Sequence, residues 1–337
     1  MKVAVDRHIP FVRAQIEAYN TARLAVGADN LIDAEYIEPE EFTSERVRDK
    51  DALIIRTRTR IDSRLLDRSR VCFVATATIG YDHIDTDYCR RQGIFWTACP
   101  GCNSQAVCDY IKEALSLIRK RVLLPQKPVL GIVGVGHVGG KVASMAAANG
   151  FEVLLNDPVR AEKEHNLFVP LDTIVENSDI ITFHTPLTKD GKYPTCHLCN
   201  AAFLSRCKSQ AVLINAARGG VIDEQALLAS GRRCIIDCWE GEPDINRRLL
   251  SGSQTLGATC HIAGYSIEGK RNASRMCLEE LARFFRLPKI WNETIAETEE
   301  AFTPQGDSAE GWIERLTEQM RTPQSDFEKI RKAYKLR

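Results

Sequence analysis

The sequence predicts an α/β protein with two doubly wound parallel-sheet domains, the first of which is split around the second, followed by a short C-terminal tail. Three observations support this prediction. The chain has 337 residues, roughly twice the length of a typical domain. Short apolar segments alternate with amphipathic ones in two successive series, as in sheets that carry helices on both faces. A glycine-rich stretch opens the second series and not the first.

The first series predicts its elements from Val-, Ile- and Ala-rich runs separated by polar-faced segments. Strands are predicted at residues 2–5, 52–55, 71–75 and 94–97, and helices at 11–19, 63–69 and 85–92. A long helix capped by Asn103 or Ser104 should then run to about Arg121. Two prolines within residues 123–128 interrupt the pattern and are typical of a linker.

The second series begins at Val129. Strands are predicted at residues 129–133, 152–155, 180–183, 211–214 and 234–237. A helix at about 267–285 should return the chain to the first domain, and a tail helix is expected near 309–321. We therefore expect a substrate domain at 1–100 and 266–287, a nucleotide-binding domain at 101–265, and a C-terminal interface element or partly mobile tail at 288–337.

Composition and charge narrow the class of protein. The 45 acidic and 45 basic residues balance, so the overall charge indicates neither a nucleic-acid nor a membrane partner. No secretory signal is visible, and no apolar run approaches the roughly 18 residues of a membrane span. We expect a cytoplasmic protein.

Twelve cysteines are many for such a protein, and two pairs have C-x-x-C spacing. These pairs are Cys99 with Cys102 and Cys196 with Cys199. A redox pair requires a thioredoxin-like setting, which the surrounding sequence lacks, and a zinc site requires two pairs to converge. We expect structural or incidental thiols in a reducing compartment and no metal.

The glycine-rich stretch has the spacing of a dinucleotide-binding motif. It reads Gly131-Ile-Val-Gly134-Val-Gly136-His-Val-Gly139, after an apolar strand and before a helix. Gly134 permits a tight turn, Gly136 lets the backbone approach a pyrophosphate, and Gly139 lets helix and strand pack closely. Asp157 ends the next strand, where a carboxylate accepts from both ribose hydroxyls and repels a 2′-phosphate. The motif predicts NAD as the cofactor.

About 130 residues precede this motif, and three segments follow it. They are Val212-Leu-Ile-Asn-Ala-Ala-Arg218-Gly-Gly-Val-Ile-Asp, Ile236-Asp-Cys-Trp-Glu-Gly-Glu242-Pro, and Cys260-His261-Ile-Ala-Gly. In layout, order and spacing the chain resembles the D-2-hydroxyacid dehydrogenases over residues 1 to about 285. The resemblance implies a catalytic set of Arg218, Glu242 and His261.

The chemistry of these side chains suits that role. A histidine with an ordinary pKa of about 6.5 is a good base for a hydroxyl proton. Glu242 would orient His261 and stabilise its charged form. Arg218 would hold a carboxylate with its planar fork. The resemblance further implies a homodimer and NAD contacts beyond Gly134, Gly136, Gly139 and Asp157, namely at His137, Val138, Thr185, Ala216, Ala217, Arg218, Asp237 and Gly264.

Segments around residues 75–85, 100–103, 183–191 and 261–270 are similar to the branch of this family that oxidises 4-phospho-D-erythronate in a route to pyridoxal 5′-phosphate. That similarity implies substrate contacts at Thr57, Thr78 and Tyr265. Arg56 and Arg58 are the best local cluster for the 4-phosphate, because arginine binds phosphate in a bidentate way. A solvated basic loop is the alternative for that cluster.

Two features depart from the family pattern, and two other functions stay open. Cys260 stands where the family usually has proline before the histidine, and the C-terminal region is shorter than the usual dimerisation domain. The catalytic set is shared with phosphoglycerate, glyoxylate and hydroxypyruvate dehydrogenases. Proteins with this fold also act as NAD-sensing corepressors, so the fold does not fix the function.

Overall fold

The computed structural model describes residues 1–164, 167–297 and 311–336. Its strands are β1 (Lys2–Asp6), β2 (Asp33–Ile37), β3 (Ala52–Ile55), β4 (Phe73–Thr76), β5 (Phe95–Thr97), β6 (Val129–Val133), β7 (Glu152–Asn156), β8 (Ile180–Phe183), β9 (Val212–Asn215), β10 (Cys234–Ile236) and β11 (Thr255–Ala258). Its helices are α1 (Val12–Ala25), α2 (Ser44–Val47), α3 (Ser63–Leu66), α4 (Thr86–Gln92), α5 (Ser104–Arg121), α6 (His137–Ala148), α7 (Pro158–Ala161), α8 (Leu171–Asn177), α9 (Ala201–Arg206), α10 (Glu224–Ser230), α11 (Arg247–Ser251), α12 (Ile267–Phe284), α13 (Glu293–Glu297), α14 (Trp312–Arg321) and α15 (Phe327–Ala333).

The described residues form two compact units. The first contains residues 1–103 and 266–297, and the second contains residues 104–164, 167–265 and 311–336. Each unit is built on its own parallel sheet, which confirms the predicted fold class. Residues 123–128 join α5 to β6 within the second unit.

The sheet of the first unit has the strand order β2-β1-β3-β4-β5. All its strand pairs are parallel. Strands β3 and β4 are buried along their whole length, as expected for central strands covered on both faces. The strand order reverses between β1 and β3, and in open α/β sheets ligands bind outside the carboxyl ends of strands at such a point. Asp6 and Arg56 lie at these two strand ends.

The edge strand β2 is absent from the sequence prediction. Its sequence, Asp-Ala-Glu-Tyr-Ile, is exposed or partly exposed at every position except the last. An edge strand pairs on one side only and needs no continuous apolar run, so the hydrophobic pattern does not reveal it. Its register with β1 runs from Lys2 opposite Asp33 to Asp6 opposite Ile37.

The sheet of the second unit has the order β11-β10-β9-β8-β6-β7, again with parallel pairs throughout. Its order reverses between β6 and β8, which places the glycine-rich loop after β6 beside the loop after β8. Strand β11 was not predicted, because it is short and contains Gly257, a poor strand former. A glycine is needed there, since a Cβ would lie 2.8 Å from Cγ2 of Ile313.

The long helices follow the predicted pattern, with differences at their ends. Helix α5 has the predicted bounds, whereas α1 continues to Ala25, six residues beyond the predicted end. The last turns of α1 carry polar, solvent-facing side chains, so a prediction based on apolar spacing ends the helix too early. No helix in the described ranges is long and apolar enough to span a bilayer.

The C-terminal region packs onto the second unit in residues 311–336. Helix α14 lies against β11 and buries Trp312 and Ile313. Arg321, near its end, donates to the carbonyl oxygens of Leu250 at 2.9 Å and Thr255 at 2.7 Å. Helix α15 was not predicted, and residues 309–310 of the predicted tail helix lie outside the described residues.

Candidate active site

The glycine-rich loop after β6 has the geometry that its sequence predicts. Gly134 has a φ of 87°, in the left-handed region that favours glycine, and its N–H donates to the carbonyl oxygen of Asn156 at 2.8 Å. A Cβ on Gly139 would overlap the carbonyl oxygen of Gly134. Gly136 is exposed and has open space on its Cβ side. The loop therefore turns tightly and leaves backbone accessible at the N-terminus of α6, where His137 and Val138 begin the helix.

Asp157 faces the glycine-rich loop and also forms a hydrogen bond with it. Its carboxylate accepts hydrogen bonds from the backbone N–H of Val135 and of Arg160, each at 3.0 Å. One bond ties the end of β7 to the glycine loop, and the other caps α7. The carboxylate that was predicted to recognise the ribose is thus fixed beside the turn.

The loop after β8 brings an unpaired hydroxyl to the same place. Oγ1 of Thr185 is buried and has no hydrogen-bond partner within the described residues. A Cβ on Gly134 would lie 2.8 Å from Cγ2 of Thr185, so the two loops are in contact. A buried polar atom without a partner is costly, and a bound cofactor would supply a partner for it. With the open N-terminus of α6 and the Asp157 carboxylate, it fits a dinucleotide.

Arg218 lies on the loop after β9, and Asn215 shapes that loop. The Asn215 amide donates to the carbonyl oxygens of Arg218 at 2.9 Å and Cys238 at 3.0 Å, and its Oδ1 accepts from the N–H of Ala217 at 3.2 Å. Nη1 of Arg218 donates to the carbonyl oxygen of Ala217 at 2.8 Å. Its other N–H groups have no acceptor among the described residues, so most of the guanidinium is available to an anion.

His261 and Glu242 form a pair, as predicted. Nδ1 of His261 lies 2.8 Å from Oε2 of Glu242, and Oε1 of Glu242 accepts from the N–H of Trp239 at 2.8 Å. The pairing through Nδ1 leaves Nε2 for a substrate. His261 has a φ of 58°, an unfavourable value for a non-glycine residue, and such strained positions cluster at functional sites.

Asp237 fixes the backbone that carries His261. Its buried carboxylate accepts from Oγ1 of Thr259 at 2.6 Å and from the N–H groups of Ile262 at 2.8 Å and Ala263 at 2.9 Å. The N–H of His261 also donates to the carbonyl oxygen of Asp237 at 2.9 Å. These bonds restrain the loop although Cys260 replaces the usual proline.

The environment of His261 favours its protonated form. Its pKa is raised well above the ordinary value of 6.5 by Cys238 and by Glu242, although burial acts in the opposite direction. Burial also raises the pKa of Cys238 and keeps that thiol neutral, so the charge that stabilises the imidazolium is the Glu242 carboxylate, 2.8 Å from Nδ1. Cys238 lies directly after Asp237 in the chain and was not among the predicted site residues. By contrast, burial lowers the pKa of His184 to about 3, so that histidine stays neutral.

The first unit contains the predicted phosphate cluster, and one of its arginines is already paired. Arg56 donates from Nε and Nη2 to the buried Asp6 carboxylate at 2.8 and 3.0 Å, across the point where the strand order reverses. Thr57 and Arg58 are exposed. Lys270, on α12, was not predicted; its pKa is lowered by burial and then by the charge of Arg56, and it has no ion-pair partner among the described residues.

Thr78 belongs to a hydrogen-bonded chain within the first unit. Its Oγ1 donates to the carbonyl oxygen of Gly80 at 3.0 Å and lies 2.7 Å from Oγ1 of Thr76. Thr76 in turn lies 3.1 Å from Nε2 of His83. The predicted substrate contact at Thr78 is therefore held in place, and His83 supports it.

Glu224 is a further buried carboxyl group that sequence reasoning missed. It accepts from the N–H of Glu240 at 2.6 Å, which anchors the turn that leads to Glu242. Burial first, and then the charges of Glu240 and Glu242, raise its pKa to about 7. Glu224 is the first residue of α10, after the capping residue Asp223, where an acidic side chain is common and is usually exposed, so the sequence does not indicate its burial.

Replacing Glu224 by glutamine is expected to make unfolding less sensitive to pH. The folded protein retains the Glu224 proton between pH 4.5 and about 7, whereas the unfolded chain loses it, so stability falls as pH rises through this window. The raised pKa therefore lowers the free energy of unfolding by about 3 kcal/mol across this window, because each pKa unit corresponds to about 1.4 kcal/mol. We expect the difference in thermal unfolding midpoint, Glu224→Gln minus wild type, to increase from pH 5 to pH 8. The exposed Glu318→Gln variant should show no such trend, and a constant difference for Glu224→Gln would contradict the assignment.

Comparison with known proteins identifies the family. The model for the NAD-binding domain of D-isomer specific 2-hydroxyacid dehydrogenases matches residues 119–263. The chain is 45% identical to erythronate-4-phosphate dehydrogenase from Bacteroides fragilis, over 100% of this chain and 97% of that protein. It is 46% identical to erythronate-4-phosphate dehydrogenase from Bacteroides thetaiotaomicron, over 87% of this chain and 83% of that protein.

A solved structure agrees with these relatives. NAD-bound 3-phosphoglycerate dehydrogenase from Entamoeba histolytica superimposes with a TM-score of 0.67 at 23% identity, over 90% of this chain and 99% of that one. The relatives in sequence therefore lead to the same family as the arginine, glutamate and histidine motifs, and the solved structure has the same fold. This chain belongs to the D-isomer specific 2-hydroxyacid dehydrogenases, a family of NAD-dependent oxidoreductases.

Proposed function

We propose that this enzyme oxidises the 2-hydroxyl group of 4-phospho-D-erythronate to the 2-oxo acid, as a step toward pyridoxal 5′-phosphate. The observation that carries the reaction type is the His261–Glu242 pair at 2.8 Å, on loops that follow the same sheet edge as the largely unpaired Arg218 guanidinium. The substrate is supported by the two relatives that match most of this chain and carry that activity in their names.

The three side chains divide the work. Arg218 holds the C1 carboxylate through its free N–H donors. Nε2 of His261 accepts the C2 hydroxyl proton, while Glu242 fixes the ring through Nδ1 and stabilises the imidazolium. Bound NAD supplies the acceptor for the hydride that leaves C2. We assign its binding to the glycine loop, Asp157 and Thr185, with the other predicted contacts in the loops after β9, β10 and β11.

We assign the 4-phosphate to the basic residues of the first unit. Arg58 and Thr57 are exposed donors, and Lys270 is a half-buried amine without an ion-pair partner among the described residues. Two N–H groups of Arg56 already donate to Asp6, so Arg56 offers the phosphate its positive charge and its remaining N–H groups. Phosphate carries enough charge and acceptor oxygens for several such donors. Thr78 and Tyr265 are assigned to further substrate oxygens.

We also propose that the enzyme is a cytoplasmic homodimer. Twelve free thiols suit a reducing compartment. The dimer follows from the family alone, and sedimentation of the purified protein tests it: a mass of one chain across the micromolar range would contradict it.

The substrate is tested by NADH formation, followed by its near-ultraviolet absorbance. 4-Phospho-D-erythronate should be compared with 3-phospho-D-glycerate, D-glycerate and D-erythronate under saturating NAD. We expect the highest kcat/KM for 4-phospho-D-erythronate. A higher value for another acid would retain the family and reject this substrate, and no turnover with any acid despite NAD binding would favour a corepressor-like role.

The pH profile tests how His261 is tuned. Oxidation requires neutral His261, so kcat/KM should rise with pH through the pKa of that residue, at a pH above its ordinary 6.5. Glu242→Gln removes the carboxylate that lies 2.8 Å from Nδ1 and should move the rising limb to lower pH. Glu240→Gln changes a carboxylate that pairs instead with His197 at 2.8 Å and serves as the control. An unmoved limb in Glu242→Gln would exclude Glu242 as a cause of the raised pKa.

A further inference from the structure

Helix α15 brings a second arginine to the histidine loop of the second unit. Nε of Arg331 donates to the hydroxyl oxygen of Tyr265 at 2.9 Å, and the guanidinium carbon lies 5.6 Å from the centre of the Tyr265 ring. The Arg331 side chain is only 28% exposed. Burying most of an arginine side chain costs free energy unless its charge is paired or hydrogen-bonded. Its bond to Glu328, one turn earlier, is long at 3.4 Å.

The direction of this hydrogen bond has a chemical consequence. A guanidinium has donors and no acceptor, so the Tyr265 oxygen must accept, and the hydroxyl proton must point elsewhere. Among the described residues, no acceptor lies within hydrogen-bonding distance of that hydroxyl. The ring of Tyr334 packs edge-on against Tyr265 with centres 6.3 Å apart, which limits the positions the ring can take. The hydroxyl proton is therefore presented by a restrained side chain.

We propose that Arg331 is a positioning residue for the substrate: by donating to Tyr265, it directs the tyrosine hydroxyl proton to an anionic oxygen of the bound acid. This inference rests on the proposed function, since it requires an anionic hydroxy acid beside the histidine loop. Tyr265 follows His261 by four residues, and its N–H donates to the carbonyl oxygen of Ile262 at 2.8 Å, which fixes it to that loop.

The charges around Arg331 support this role. Arg331 interacts electrostatically with Tyr265, Glu328 and Glu242, and its positive charge also reaches Cys260. Glu242 already pairs with His261, and burial raises the pKa of Cys260 to about 12, so that thiol is neutral. Arg331 therefore adds positive charge close to the catalytic pair, where an anionic substrate is favoured.

Steady-state kinetics of Arg331→Ala, Arg331→Lys, Tyr265→Phe and the Arg331→Ala/Tyr265→Phe double variant test the proposal. We expect Arg331→Ala to raise KM for the acid roughly ten- to hundredfold, the range for a hydrogen bond to a charged group, with a much smaller change in kcat. The effects of Arg331→Ala and Tyr265→Phe should combine to less than their product, because the first misdirects and the second removes the same tyrosine hydroxyl donor. Lysine should restore part of the loss. Lys332→Ala, an exposed neighbour on α15, is the matched control and should behave as wild type.

Parallel assays with 4-phospho-D-erythronate and D-erythronate identify the anionic oxygen. A larger loss for the phosphorylated acid assigns the phosphate, and equal losses assign the carboxylate. An unchanged KM in Arg331→Ala, or fully multiplicative effects in the double variant, would overturn the proposal. Binding of the acid to the NADH complex, measured by nucleotide fluorescence, must weaken in parallel with KM, whereas NAD affinity and thermal midpoint stay unchanged. If wild type oxidises a different acid, the proposed substrate fails, and the same variants are compared on the acid that is oxidised.

Discussion

Replacing His261 by asparagine is expected to lower kcat for oxidation by roughly 10²–10⁴, the range that a positioned general base contributes. Asparagine retains a polar side chain but cannot take a proton from a hydroxyl group. Nδ1 of His261 is bound to Glu242, so Nε2 is the atom that takes the hydroxyl proton, and asparagine removes it together with the Glu242 contact. The acid should still bind through Arg218, so KM should change far less than kcat.

Single-turnover NADH formation measures this effect at the chemical step. NAD affinity should be preserved, since the glycine loop and Thr185 lie on other strand ends than His261. His197→Asn is a suitable control, because His197 forms a partly exposed pair with Glu240 at 2.8 Å. If His261→Asn kept more than about a tenth of the wild-type rate, general base catalysis by this residue would be excluded.

The buried strands were predictable from sequence, and the marginal ones were not. Strands β3, β6 and β8 consist of nearly continuous apolar side chains, and their predicted bounds match the structure. Strand β2 lies at a sheet edge with polar residues, and β11 contains Gly257 because Ile313 lies against it. Such strands depend on neighbours that are distant in sequence, which a local pattern does not contain.

The candidate site likewise contains residues that the sequence predicts and residues that only the fold reveals. Arg218, Glu242 and His261 stand in ordered motifs that resemble those of the family, and this resemblance predicted them. Asn215 and Cys238 act on them through contacts that only the fold creates. Arg331 is separated from Tyr265 by 66 residues, and nothing in α15 indicates this pairing. Residues that position others have no chemical signature of their own, and this explains why sequence reasoning missed them.

Arg218→Lys is expected to reduce kcat/KM by roughly a hundredfold, although the charge is kept. The guanidinium presents parallel N–H donors in a fixed plane, and an ammonium group cannot bind a carboxylate in this bidentate way. In this structure Nη1 is already bound to the carbonyl oxygen of Ala217, which sets the orientation of the plane. Lysine loses both the fork and this orienting bond, so the substrate carboxylate would be held in several positions.

The comparison of lysine with alanine separates charge from geometry. Arg218→Ala should lose more than Arg218→Lys, since it also removes the attraction for the anion, and Arg248→Lys at an exposed position should have wild-type kinetics. Added guanidinium should restore part of the activity of Arg218→Ala but little of Arg218→Lys, where the ammonium group occupies the space. Equal activity of Arg218→Lys and wild type would show that charge alone suffices, and the planar carboxylate contact assigned to Arg218 would then be wrong.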